Sequence, residues 1–127
     1  MVVRALAGAT GLFFGLNGAR WLIDAPGAAG GLGMPPLVGI GLSSQMGDIG
    51  GFFIALGAAL LIGAYLQNST WLRAGALMLG SAALMRTLAW LLQGASFAAP
   101  FIALELIFAG FLFFLARRMD AGPPAEG

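Results

Sequence analysis

Long apolar stretches alternate with short polar breaks along the chain, and this pattern predicts its secondary structure. Four stretches are long enough to cross a membrane, at residues 5–23, 45–66, 71–93 and 97–116. A membrane-spanning helix needs about 20 apolar residues, and no stretch shows the sustained alternation of a lipid-facing barrel strand. We therefore predict an all-α protein, a transmembrane bundle of four antiparallel helices.

The breaks between the stretches predict how the helices are connected. Residues 67–70 and 94–96 form short links, which make the last three helices sequential antiparallel neighbours. One long outer loop, at about 24–44, joins the first two helices. Because unpaired backbone cannot face lipid, this loop must lie among headgroups, fold over the bundle or form a short helix. We predict a single domain at 1–118 and a disordered cytoplasmic tail at 119–127.

Particular residues mark the predicted helix ends. Ser44 is a candidate N-cap of the second helix, with Asp48 in its first turn, and Ser69 or Thr70 is a candidate N-cap of the third. Large aromatic side chains fall near the span ends, where an interfacial belt is expected: Trp21, Tyr65, Trp71 and Trp90.

Composition excludes several kinds of chemistry. Of 127 residues, 60% are hydrophobic and 9% charged, against about 25% charged in soluble domains, so the surface faces lipid. The chain has no cysteine, histidine or lysine, and therefore no disulfide, no zinc site and no usual haem ligand. We expect no cofactor and no nucleic-acid partner, since the net charge is only +1.

The distribution of arginine predicts the orientation. With four spans, both termini share one side with the link at 67–70. That side collects Arg4, Arg73, Arg117 and Arg118, whereas Arg20 stands alone outside the span interiors on the other. The positive-inside rule then places both termini in the cytoplasm, and we expect a multi-pass protein of the bacterial inner membrane. We interpret the first stretch as a signal anchor, because no convincing small-x-small cleavage site follows it.

Two charges lie inside the predicted spans. Arg86 precedes the end of helix three by about two turns, and Glu105 follows the start of helix four by about two turns. Antiparallel neighbours bring these residues to one depth. Because a lone charge in a bilayer is costly, we predict an Arg86–Glu105 ion pair inside the bundle.

Other polar residues gather in the predicted outer half of the bundle. Together with the pair, they suggest a polar pocket open to the outside: Asn17, Arg20, Asp24, Asp48 and Gln93. Two interpretations stay open. In the structural one, the pair fixes helix register and the other groups are caps and interfacial charges; in the other, the cluster binds a ligand, an ion or a proton.

Two glycine patterns favour close helix packing. Gly11-x-x-x-Gly15 and Gly47-x-x-x-Gly51 both match the small-x-x-x-small pattern of membrane helices. We expect them to pack the helices of this chain against one another rather than to specify a homodimer.

Short motifs in the last three stretches carry a family resemblance. They are Gly50-Gly51, Leu84-Met85-Arg86-Thr87-Leu88, Gly94 and Ala103-Leu104-Glu105-Leu106. From Gly47 to Arg118 the chain resembles a family of uncharacterised small bacterial membrane proteins with four predicted spans. The resemblance implies that Arg86 and Glu105 match the two intramembrane charges of that family. The family often has an acid and an arginine just before Gly-Gly, where this chain has Ser44 and Met46, with Asp48 displaced.

Two classes of function follow from these observations. The first is a non-enzymatic structural or accessory component whose core the pair organises, with lipid and either a larger membrane complex or a second copy as partners. The second is a protein that handles small solutes, lipid or protons through the outer pocket. An enzyme is not expected, because Tyr65, Ser81 and Ser96 have no base suitably spaced.

Overall fold

A computed structural model describes residues 1–122, and this part of the chain forms five helices. They are α1 (Val2–Ile23), α2 (Ala25–Gly31), α3 (Gly39–Leu66), α4 (Ser69–Gln93) and α5 (Ala99–Ala121). All except α2 are long and apolar enough to cross a membrane, and they pack antiparallel. The predicted all-α bundle of four antiparallel spans is confirmed, and the chain is a multi-pass membrane protein.

The two ends of the bundle differ in their connections. Met1, the link between α3 and α4 and the end of α5 lie at one end, which we call the terminal end. Residues 24–38 and 94–98 lie at the other, which we call the loop end. Of the predicted tail, residues 119–121 belong to α5, while 123–127 lie outside the described residues.

The link between α3 and α4 is shorter than predicted. Gln67 adopts a left-handed conformation with φ 52° and ends α3. The Asn68 side chain then accepts a hydrogen bond of 3.0 Å from the Thr70 backbone N–H. The prediction that Ser69 or Thr70 caps α4 is therefore wrong, because the amide of Asn68 does so one residue earlier.

Helix α3 begins earlier than the sequence pattern indicated. Val38 is extended, and Gly39, with φ +57°, turns the chain into the helix. Ser44 thus lies inside the helix and Asp48 lies beyond its first turn, so the prediction of Ser44 as N-cap is wrong. Between them begins a wider π-helical segment, Gln45–Gly50.

The α1–α3 contact rests on glycine. A Cβ atom at Gly57 would lie 2.6 Å from the backbone nitrogen of Gly15 and 2.7 Å from the carbonyl oxygen of Gly11. The two backbones therefore touch here, and the expected packing role is confirmed for Gly11, whereas a Cβ atom at Gly15 would meet nothing within 4 Å. Cβ atoms at Gly47 and Gly51 would meet nothing within 4 Å, because the rotation of α3 turns both away from α1.

A shared core joins the four spans. Helices α1 and α3 form one closely packed pair and α4 and α5 the other. The core cluster includes Phe14, Leu56, Leu60, Leu72, Leu79, Leu112 and Leu115. Phe14 links the two pairs, since its ring lies 6.1 Å from that of Phe53 in α3 and 5.1 Å from that of Phe108 in α5.

The long loop closes over the loop end of α1 and α3. Trp21 is only 3% exposed and packs in one cluster with Ala28 and Ala29 of α2. The loop is thus partly helical and partly folded over the bundle. Trp21 lies near the end of α1, as predicted, but α2 covers it. Tyr65, Trp71 and Trp90 are exposed near helix ends.

Candidate functional site

Arg86 and Glu105 meet between α4 and α5. Arg86 lies seven residues before Gln93 and Glu105 six residues after Ala99, so both lie about 10 Å inside the loop-end limits of their helices. The Arg86 Nε donates a hydrogen bond of 2.8 Å to Glu105 Oε1. The predicted ion pair is confirmed, and it ties together the two helices that are adjacent in the chain.

An aromatic ring supports the arginine. The guanidinium carbon of Arg86 lies 4.8 Å from the centre of the Phe101 ring, one turn before Glu105. A cation over a ring face gains about 0.5–2 kcal/mol, more where water is excluded. The Arg86 charge is thus stabilised from α5 twice, by a carboxylate and by a ring.

The pair is unequally buried and incompletely bonded. The Glu105 side chain is 14% exposed and that of Arg86 32% exposed. Glu105 Oε2 is buried, and no donor among residues 1–122 reaches it. A buried carboxylate oxygen without a donor costs at least about 1–3 kcal/mol, and a hydrogen bond from a small donor would remove that cost.

The five residues of the predicted outer pocket are used in different ways. Arg20 pairs with Asp24 at 3.3 Å, and both side chains are about half exposed. Asp24 also caps α2 by accepting 3.0 Å from the Gly27 N–H. The Asn17 amide donates 2.8 Å to the carbonyl of Phe13 in its own helix.

Asp48 and Gln93, the other two, are both exposed. Neither makes a side-chain hydrogen bond within residues 1–122. Of the five, the structure therefore brings together Arg20 and Asp24 alone. A ligand pocket formed by all five stays a prediction.

Gln45 is a structural residue that the sequence analysis missed. Its side chain is 5% exposed. Its amide nitrogen donates 3.0 Å to the carbonyl of Pro35, and its amide oxygen accepts 3.1 Å from the N–H of Leu37. Gln45 thus satisfies the extended backbone of the loop. The sequence did offer a signal for this role. Gln45 is an amide side chain at the start of an apolar stretch, nine residues after Pro36.

A second ion pair between α4 and α5 was also missed. The guanidinium of Arg73 bonds the Asp120 carboxylate and donates 3.0 Å to the Ser69 hydroxyl. Arg73 and Asp120 lie at the terminal end, both close to half exposed. The depth argument that found Arg86–Glu105 would have found this pair too, had the last helix been extended to Asp120.

The surface carries a groove that none of the predicted site residues line. It lies between α4 and α5, encloses about 470 Å³ and includes Gly80, Ser81, Leu84 and Phe113. Its walls are almost wholly apolar, as expected for a surface against lipid acyl chains.

Comparison with known proteins adds no relative. No known protein family, curated protein or solved structure matches the chain. The four long apolar helices support the four-span architecture that the motifs suggested, and no family is identified.

Proposed function

We propose that this protein is a non-enzymatic component of the bacterial inner membrane with a structural or accessory role. The observation that carries the proposal is that several polar side chains inside the spans are bonded within the bundle, although Glu105 Oε2 is not. Thr10 and Thr87 donate to carbonyls one turn back in their own helices, Asn17 does the same, and Arg86 binds Glu105. The Arg86–Glu105 pair fixes the register of two helices, and the other three bonds satisfy their side chains within single helices, so these groups offer little polarity to a substrate.

The proposed orientation has both termini in the cytoplasm. It rests on the arginines of the terminal end, set against Arg20 at the loop end. Because the chain has no cysteine, single-cysteine variants report orientation without background. A membrane-impermeant maleimide added to intact spheroplasts should label Ser96→Cys and spare Gln67→Cys. Labelling of Gln67→Cys alone would reverse the orientation.

A second function is favoured by one observation, the buried Glu105 Oε2 without a donor. A carboxylate oxygen with a free lone pair inside a bundle suits proton transfer or the binding of a small donor. In this alternative the protein handles protons, a small solute or lipid, and the outer polar pocket gives access to Glu105.

Two experiments on the full chain separate the alternatives. The first captures the tagged protein from its native membranes in a gentle detergent. If the role is accessory, the wild type and the charge-swapped Arg86→Glu/Glu105→Arg protein should capture the same partner in the same proportion. Either single variant should lose that partner. Repeated recovery of the chain alone would count against an accessory role.

The second experiment measures flux. The purified protein is placed in vesicles that contain a pH-sensitive dye, and a proton gradient is imposed. The structural proposal predicts that vesicles with the wild type and vesicles with Glu105→Gln leak protons at the same rate as empty vesicles. Proton flux that Glu105→Gln abolishes, while the variant still elutes as a folded protein, would establish the alternative.

A further inference from the structure

A basic cleft opens at the terminal end of the bundle. It lies between the start of α1, the link after α3 and the end of α5, and it encloses about 780 Å³. Its polar side chains are those of Arg4, Gln67 and Arg118, and Met1, Val3 and Met119 add apolar walls. This is within the size range of small-molecule sites.

The charges that line this basic cleft are of one sign. Arg4 and Arg118 are exposed, and neither forms an ion pair within the described part of the chain. Arg118 rests over the Phe114 ring at 5.8 Å, which keeps its charge while partly ordering its side chain. Asp120, the acid nearest to Arg118 along the chain, is bonded to Arg73 and does not line the cleft.

The location defines what can reach these charges. The lining residues lie at the ends of membrane-spanning helices or one residue beyond them, which puts the cleft level with the headgroups of one leaflet. The loop end differs, because its exposed Arg20 is paired with Asp24. Within residues 1–122, positive charge without a counter-charge is therefore concentrated in a concave surface at one headgroup layer.

We propose that the basic cleft binds the headgroup of an anionic phospholipid. Arginine forks match the oxygens of a phosphate, and basic pockets at the ends of membrane helices are suited to anionic headgroups. The glycerol and first acyl carbons lie against Val3 and Met119. A free anion such as phosphate shares the charge but not this apolar contact.

The test uses the purified full chain in neutral detergent and two fluorescent short-chain lipids with identical acyl chains. Phosphatidylglycerol should bind at least about tenfold more tightly than phosphatidylcholine, since two arginines contribute about fivefold each. Arg4→Gln/Arg118→Gln should weaken phosphatidylglycerol binding by roughly 25-fold. Arg4→Lys/Arg118→Lys retains the charge but loses the planar fork, so it should bind phosphatidylglycerol more tightly than the glutamine variant and more weakly than the wild type.

The matched control is Arg117→Gln. Arg117 neighbours Arg118 and is exposed, but it does not line the cleft. This variant should bind phosphatidylglycerol within about twofold of the wild type, since its charge acts only at longer range. A loss equal to that of Arg118→Gln would mean general surface attraction and would overturn the proposal. So would equal affinity for the two lipids, or inorganic phosphate binding as tightly as phosphatidylglycerol.

Discussion

Replacing Gly57 with alanine should force α1 away from α3, because the added methyl group has only backbone to meet. The new Cβ would stand 2.6 Å from the Gly15 nitrogen and 2.7 Å from both the Gly15 Cα and the Gly11 oxygen. Ordinary contacts need about 3.5–4 Å, so the helices must separate by roughly 1 Å. No side-chain rotation relieves a clash with backbone, so the whole interface has to shift.

The expected magnitude follows from overpacking. Adding a methyl group to a closely packed interface costs about 1–3 kcal/mol, and a clash with two glycine backbones belongs near the upper end. Alanine also favours helix over glycine by up to about 1 kcal/mol, which offsets part of the loss. The matched variant Gly51→Ala has the same propensity gain in the same helix and an open position. The difference between the two variants isolates the steric term, at about 2–3 kcal/mol.

The assay is the free energy of unfolding, from titration of the micelle-bound protein with a denaturing detergent while helix content is followed by circular dichroism. Gly57→Ala should be less stable than the wild type, and Gly51→Ala equal to it or more stable. Equal free energies for the two variants would refute a glycine contact between α1 and α3.

Two further substitutions test the loop and the second ion pair. Gln45→Ala removes both hydrogen bonds to the loop. Hydrogen exchange of the Leu37 amide should accelerate, and the free energy of unfolding should fall by about 1–3 kcal/mol. Unchanged exchange would mean that Gln45 does not hold the loop. Asp120→Asn breaks the pair with Arg73, but both side chains are more than 40% exposed, so stability should change by less than about 1 kcal/mol; a larger loss would mean that this pair holds α4 to α5.

The four spans and the central pair could be predicted because each follows from a strong physical constraint. A bilayer fixes the length of an apolar helix, and antiparallel neighbours place Arg86 and Glu105 at one depth. Two charges of opposite sign at that depth have an evident partner in each other. Neither inference needs knowledge of which side of a helix faces inward.

The rotation of α3 could not be predicted, because its longer part, Gly51–Leu66, is apolar around its whole circumference. With no polar face to exclude, the pattern could not tell Gly57, which touches α1, from Gly47 and Gly51, which do not. The packing partner decides the rotation, and that information lies in another part of the chain.

The start of α3 and the end of α5 were predicted incorrectly for a related reason. Residues 39–44 contain glycine and serine, which the sequence alone assigns to a loop. In the structure, Gln45 bonds the extended segment before them, and the helix therefore extends back to Gly39. Ending the last helix at 116 likewise assigned Asp120 to a tail and concealed its pairing with Arg73. Both errors arose where a long-range contact overrides local propensity.

The central claim is that Arg86 and Glu105 stabilise the bundle as a pair, and a double-mutant cycle tests it most directly. Unfolding free energies would be measured for Arg86→Met, Glu105→Met and the combined variant. Because each single change leaves the other charge alone inside the span, we expect a coupling of about 1–3 kcal/mol, with the double variant losing less than the sum of the single losses. Losses that add within about 0.5 kcal/mol would contradict the claim.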